Sequence, residues 1–373
     1  MAPIRVGVLG TGRWSRRAHL PAWRRDKRVQ LAGLYDIDAD RSAEASAACG
    51  GVRVYSSATE LIESSEIDVV DVVTWGPVHF EAAMGAIKAG KHVLCEKPVH
   101  RDYLETKRAH EEALARGLRT KVGFTFRFSP AMMYMRELIA EGFVGRPLVF
   151  NGFEQNSQFL DPLTRIRMGE GDESEEPEIQ VSSLEGYGAP IIDLSRWFVG
   201  SELSEVVGLL ANLVPERLVP GSDRPVRLPI DDADAFLGRF QNGAICTIQS
   251  SYVTIGNYPG LEARLYGTEG ALICRLVEEQ GVCERIWAAR KDSVEFRPLT
   301  VPDRLFAPGG GVTEPWATAF YANLVSSFVS EIEDPNAQPG GDFGDAVQVQ
   351  QVINAVEISH RRRAWVSLPL LQP

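Results

Sequence analysis

Apolar and polar positions alternate with two different periods along this chain, and the change from one to the other divides it. Early on, short and nearly continuous apolar runs recur: "IRVGVLG" (4–10), "VQLAGLYD" (29–36), "VRVYSS" (52–57), "VVDVVT" (69–74) and "HVLCEKP" (92–98). Runs of this kind are strands buried on both faces, as in parallel sheets. Between them, 39–49 and 80–89 are helix-like, the second followed by Gly90 at a capping position. Strands separated by helices predict a doubly wound parallel sheet.

Beyond about residue 128 the texture changes. "FSPAMMYMRELIAEGFVG" (128–145) predicts one amphipathic helix ended by glycine, and strand-like runs follow at 147–155, 233–254, 261–276 and 284–299. "QNG" (241–243) joins two of them as a hairpin, because Asn-Gly tolerates positive φ. These runs predict a mostly antiparallel sheet, with a last helix over 344–360 and a closing strand in "AWVSLPL" (364–370). The expected organisation is an α/β domain over 1–126 and an α+β domain over 127–373. "GEGDESEEPE" (169–178) and "APGGGVTEP" (307–315) read as loops, solvated rather than lids.

Composition narrows the function. With 373 residues, 44% hydrophobic and 24% charged, the chain suits a two-domain globular protein. A formal net charge of −11 argues against nucleic acid and anionic membrane as partners. No apolar run is long enough to span a bilayer and the first residues lack a signal-peptide pattern, so a cytoplasmic location is expected. The five cysteines are scattered and form no CxxC pair, which predicts free thiols and no metal site. Partners should be small molecules or further copies of the chain.

Candidate chemistry begins after the first strand. In "VGVLGTGRWS", Gly10 and Gly12 precede a helical segment and let backbone approach a pyrophosphate; Ser15 stands where the pattern has a third small residue. Asp36, 24 residues after Gly12 and at the end of the second strand, suits the hydroxyls of an adenosine ribose and would repel a 2′-phosphate. NAD is therefore expected over NADP, although Arg41 offers a possible phosphate partner. Lys97 follows the strand at 92–98 on the same side of the sheet, with Pro98 restricting its backbone. Its ammonium can exchange a proton with a substrate hydroxyl during hydride transfer; a surface ion pair with Glu96 is the plainer alternative.

"GTGRWSRRAH", "YDIDADRS", "TWGPVHFEAAMGAIKAGKHVLCEKPV", "GFTFRFSP" and "YGTEGAL" together resemble, in order and spacing, the Gfo/Idh/MocA family of oxidoreductases. The resemblance implies a Rossmann domain joined to an open-faced sheet domain, assembled as a dimer or tetramer through that sheet. It implies that Lys97 assists proton transfer, with Glu96 and Pro98 as its structural partners, and that the segment from Thr74 to His79 contacts the cofactor. The cofactor set then comprises Gly10, Gly12, Arg13, Trp14, Asp36, Thr74, His79, Glu96 and Lys97, and Arg127 matches an arginine that opens the second domain. The family's D-x-G-x-H segment is replaced by "DLSRW": Asp193 is kept, Ser195 replaces glycine and Trp197 stands at the histidine position. An indole stacks on a sugar ring but exchanges no proton near neutral pH. The acid/base burden then falls on Lys97, with Asp193 orienting substrate and Tyr187 as a second candidate; an Asp193–Arg196 ion pair and a core role for Trp197 are the plain readings. The expected activity is NAD-dependent oxidation of a secondary hydroxyl, or reduction of the ketone, of a sugar, cyclitol or related polyol. A redox-neutral NAD-dependent glycosidase and a non-catalytic binding protein are the alternatives.

Overall fold

The computed structural model describes residues 2–161, 182–218, 225–255, 260–279, 282–293, 295–334 and 336–371. The acidic stretch at 169–178 lies outside them. The chain forms two compact units, Met1–Ser129 with Phe306–Gln350 and Pro130–Leu305 with Gln351–Pro373.

The first unit holds strands β1 (Ile4–Leu9), β2 (Val29–Tyr35), β3 (Val69–Val72), β4 (His92–Cys95) and β5 (Thr120–Val122), in the order β2-β1-β3-β4-β5. Every pairing is parallel. Val6, Val8, Val70, Val72, Val93 and Leu94 are wholly buried, as continuous apolar strands require. Helices α1 (Leu20–Arg25), α2 (Ala39–Ala48), α3 (Ala58–Glu63), α4 (His79–Lys88) and α5 (Tyr103–Ala115) connect them. Asp38, Ser57 and Asp102 cap three of these through side-chain oxygens that accept backbone N–H groups. The strand expected over "VRVYSS" shrinks to a single bridge between Leu34 and Val54, because Ser57 already caps α3 and ends the extended run. The order of strands reverses direction between β1 and β3, so the loops after β1, β3 and β4 share the carboxyl edge where ligands of such sheets bind.

The second unit begins with α6 (Pro130–Ala140), shorter than the 128–145 pattern because Gly142 takes a φ of +82°. Its sheet consists of β6 (Pro147–Gln155), β7 (Leu203–Ala211), β10 (Ala233–Phe240), β11 (Ile245–Ser251), β12 (Leu261–Gly267), β13 (Gly270–Glu279), β14 (Val282–Arg290), β15 (Arg297–Leu299) and β16 (Val366–Ser367). A separate ribbon pairs β8 (Glu216–Leu218) with β9 (Pro225–Arg227). The nine strands lie in the order β15-β14-β13-β12-β6-β11-β10-β7-β16, and among them only the β11–β6 pairing is parallel. The β10–β11 hairpin turns through Gln241–Gly243, with Gly243 at φ +86°. Burial alternates along β10, one face inward and one outward. Helix α7 (Ala189–Val199) packs on β6 and β12.

Two further helices complete the chain. Phe343–Arg362 (α9) follows the expected last helix. Trp316–Glu333 (α8) was not anticipated: most of its residues are buried, with only Ser330 and Glu333 exposed, and it belongs to the first unit. The pattern reading runs the second domain unbroken from 127 to 373, whereas Phe306–Gln350 folds with the first unit. Among the described residues no helix is long and apolar enough to cross a membrane.

Candidate functional site

The loop after β1 explains its two glycines differently. Gly10 takes a φ of +95°, and a Cβ there would stand 2.5 Å from the carbonyl oxygen of Val73. Among the described residues Gly12 has no atom within 4 Å of where its Cβ would be, so its bareness serves space rather than packing. Such a cradle suits a pyrophosphate. Two buried hydroxyls beside the loops after β1 and β3, Ser15 Oγ and Thr74 Oγ1, have no hydrogen-bond partner among the described residues. Buried polar groups are normally paired, so these orphans fit the edge of a polar ligand.

Asp36 ties the loop to β2. Its Oδ2 accepts from Thr11 N (2.6 Å) and Thr11 Oγ1 (3.1 Å), and its Oδ1 accepts from Asp38 N (3.0 Å). A carboxylate offers about four acceptor positions, so Oδ1 keeps capacity for a ribose hydroxyl. Arg41 is turned to Asp38 (3.1 Å). Arg13 is exposed, while Trp14 is half-buried and donates its indole N–H to Glu96 Oε1 (3.0 Å).

Lys97 leaves β4 through a cis peptide bond to Pro98 and is partly exposed. His79 lies 3% exposed at the start of α4, with Nδ1 2.9 Å from the carbonyl oxygen of Pro98 and Nε2 2.9 Å from that of Thr74. It therefore links the loop after β3 to the segment carrying Lys97.

Glu96 is no surface partner. Its Oε1 accepts from Trp14, from His19 Nε2 (3.2 Å) and from the hydroxyl of Tyr321 on α8, and its Oε2 accepts from Lys97 N (3.2 Å). Burial alone would raise its carboxyl, but His19, then Lys97 and Trp14, hold it below the ordinary carboxylate range. His19 is wholly buried and its Nδ1 lies 2.8 Å from Asp71 Oδ2, which also accepts from Trp23 Nε1 (2.6 Å). Burial pulls the imidazole down, yet Asp71 and Glu96 outweigh it and raise it to about 9. His19, Asp71, Trp23 and Tyr321 were missed as a group. The available signal was Asp71 itself, a carboxylate inside an apolar strand that has to find a donor.

Arg127 is 7% exposed, lies within the first unit and pairs with Asp345 Oδ2 (3.1 Å). The glycine-rich stretch at 307–315 is clamped rather than lid-like: Arg25 donates to the carbonyl oxygens of Pro308 (2.6 Å) and Ala307 (3.2 Å) and pairs with Glu314 (2.7 Å).

In the second unit, Tyr187 sits in a wide helical turn before α7 and donates to Gln158 Oε1 (2.6 Å), its ring edge-on to Tyr252 at 4.6 Å. Asp193 is 1% exposed, with Arg196 at 3.9 Å. That arginine is drawn instead to Glu202, at 2.6 Å through both Nε and Nη2, so the i, i+3 ion pair is loose. Trp197 is half-buried, stacks on Phe198 (5.2 Å between centroids) and has the Arg136 guanidinium 6.0 Å above its ring.

Comparison with known proteins follows the same division. Residues 4–124 match the Gfo/Idh/MocA profile described as an oxidoreductase family with an NAD-binding Rossmann fold, and residues 132–273 match the family's C-terminal domain. Levoglucosan dehydrogenase of Pseudarthrobacter phenanthrenivorans is 25% identical over 400 residues, covering 99% of each chain. Inositol 2-dehydrogenase 3 of Saccharopolyspora erythraea is 36% identical over 207 residues, 54% of this chain and 55% of that one. Among solved structures, an oxidoreductase domain protein from Kribbella flavida superposes with a TM-score of 0.88 at 26% identity, covering 99% of this chain and 100% of that one. A levoglucosan dehydrogenase in complex with NADH and L-sorbose gives 0.85 at 25% identity over the whole of both chains. A parallel sheet with this phosphate loop, followed by a sheet domain of the same descent, leaves one conclusion: the chain belongs to the Gfo/Idh/MocA family of NAD-binding oxidoreductases.

Proposed function

We propose that this protein is an NAD-dependent dehydrogenase acting on a secondary hydroxyl, or the matching ketone, of a sugar, cyclitol or related polyol. The observation that carries the reading is the seating of Lys97 at the carboxyl end of β4, on the ligand edge of a sheet whose β1 loop leaves open space at Gly12. The levoglucosan and inositol dehydrogenases among its relatives support the polyol class. They also leave the redox-neutral glycosidase and the purely binding protein without favour.

Bound nicotinamide supplies the hydride acceptor or donor. Gly10 and Gly12 give the pyrophosphate its room, Thr74 and Ser15 offer hydroxyls, and Asp36 takes the ribose hydroxyls. The same carboxylate would face a 2′-phosphate, which favours NAD over NADP. Lys97 takes the proton from the substrate oxygen in oxidation and returns it in reduction. Asp193 and Tyr187 are assigned to orienting substrate hydroxyls, Trp197 to stacking on the ring and Arg127 to a polar contact. Glu96 and His79 hold the lysine's surroundings, and Arg13 and Trp14 border the cofactor.

The protein is proposed to be cytoplasmic, in keeping with five free cysteines, and to form a homodimer or homotetramer through the outer face of the nine-stranded sheet. Leu209, Leu237 and Ile245 are about half exposed there on neighbouring strands, at 56%, 49% and 50%. Replacing Lys97 with alanine should lower turnover at least about a hundredfold while NADH affinity, read by fluorescence titration, stays nearly unchanged. An alanine variant with wild-type turnover on a polyol substrate would sink the assignment.

A further inference from the structure

A row of alternating charges, Asp71, His19 and Glu96, leads to the partly exposed Lys97. Asp71 and His19 are wholly buried, joined at 2.8 Å, and His19 reaches Glu96 at 3.2 Å. Three donors, from Trp14, His19 and Tyr321, converge on one oxygen of Glu96. The seat is closed by Gly123, where a Cβ would come within 2.5 Å of that oxygen. The Tyr321 ring lies 4.2 Å from the imidazole.

We propose that His19 is a positioning residue for proton transfer. Bridging Asp71 and Glu96, it holds the Glu96 carboxylate in place and sets the charge against which Lys97 takes up and releases its proton. The proposal rests on the dehydrogenase reading above. Both imidazole nitrogens face carboxylate oxygens, so a ring donating at both carries a positive charge; the rise of His19 to about 9 agrees. With that charge, Asp71, His19 and Glu96 sum to one negative charge, which Lys97 balances. Without it two negative charges remain, and they oppose transfer of a proton away from Lys97.

Other groups facing the ring do not supply the difference. The Cys95 thiol on β4 is kept neutral by burial, which pushes it well up. Tyr321 on α8 donates as a neutral hydroxyl. On His19's own turn, Arg16 is held by Thr11 O (2.8 Å) and Glu44 (2.8 Å), and Arg17 lies over the Trp316 ring at 5.7 Å.

The test measures pH–rate profiles and NADH affinity for wild type, His19→Gln, His19→Gln/Asp71→Asn and Tyr321→Phe. His19→Gln should bind NADH within about threefold of wild type, lose at least about tenfold in kcat at pH 7, and have the ascending limb of its oxidation profile displaced upward by about one pH unit. The double variant removes a negative charge along with the positive one and should bring the limb back. Tyr321→Phe removes a donor to the same oxygen without changing charge; its limb should stay in place. A His19→Gln profile that keeps the wild-type limb, or a double variant no better than the single, overturns the proposal. Should His19→Gln fail to fold, His19→Asn carries the same expectation, a limb displaced to higher pH; an unmoved or lowered limb would again overturn it. A readout free of substrate separates this from the functional reading: NMR titration of the protein reductively methylated with 13C, with Lys97 assigned through Lys97→Arg. Displacement of that titration in His19→Gln supports the role of His19 even if no polyol is turned over, in which case the dehydrogenase reading alone fails.

Discussion

Gly10 and Gly12 look alike in the sequence and differ in what a side chain would meet. At Gly10 an alanine combines a φ of +95° with a Cβ 2.5 Å from a backbone oxygen. The left-handed conformation alone costs about 1–2 kcal/mol, and backbone on the other side cannot rotate away. Gly10→Ala should therefore lower both the melting temperature and NADH affinity. Gly12→Ala points its methyl into open space and should leave the melting temperature within about 1–2 °C while weakening NADH binding more than tenfold; calorimetry with and without NADH checks both. If Gly12→Ala binds NADH normally, the open space beside it does not hold the pyrophosphate. Residues whose placement depends on their immediate neighbours were legible in the sequence: the glycines by their spacing, Asp36 at a strand end, Lys97 by the strand before it and the proline after it. His19 was not, because its partners lie 52 and 77 residues away and a lone histidine carries no mark of what it faces. His79, expected to meet the cofactor, has a backbone carbonyl oxygen 2.9 Å from each ring nitrogen, a contact that no sequence pattern announces.

At the scale of elements, the parallel strands were readable because burial on both faces leaves no polar position to interrupt the apolar run. The hairpin at Gln241–Gly243 was readable because its turn needs a glycine at positive φ. Helix α8 was not picked out, although Asn323, Ser326, Ser330 and Glu333 form a polar stripe at helical spacing along its less buried side. What fixes it within its unit is partly polar. Lys121 on β5 is wholly buried and donates to Glu331 on α8 (2.5 Å) and to the carbonyl oxygen of Gly340 (2.5 Å). Burial lowers the Lys121 ammonium, and the Glu331 carboxylate partly restores it. Taking away one member of such a pair leaves a buried charge alone, which costs about 3–5 kcal/mol. Lys121→Ala should destabilise the protein by that amount in urea, and Lys121→Met with Glu331→Leu should recover most of it. Equal destabilisation by the single and double variants would show that the pair is not what anchors α8.

At the scale of the whole chain, the two units carry buried groups that respond to pH in different windows. In the first, His19 is raised from an ordinary 6.5 to about 9, so the stability it contributes is full below pH 6.5 and is lost as pH climbs through 9. In the second, Asp234 is 3% exposed; burial drives it from 3.8 up to about 7, and its hydrogen bond with Ser250 only partly offsets this. An acid raised on folding behaves like the histidine in sign: its contribution is full below pH 3.8 and is gone above 7, where folding must bury the charge. Two compact units make two calorimetric transitions the expected outcome. Raising pH from 4 to 7 should lower the transition of the second unit first; raising it from 7 to 9.5 should lower that of the first. NADH at a hundred times its Kd should lift only the first, by about 2.7 kcal/mol. Asp234→Asn should flatten the lower window and, at pH 8, raise the second transition by an amount on the order of 3 kcal/mol, because no charge is then buried. A second transition that keeps its wild-type dependence between pH 4 and 7 in Asp234→Asn would place the titrating group elsewhere. A transition that rises with NADH yet moves with Asp234 would mean that the two units unfold as one.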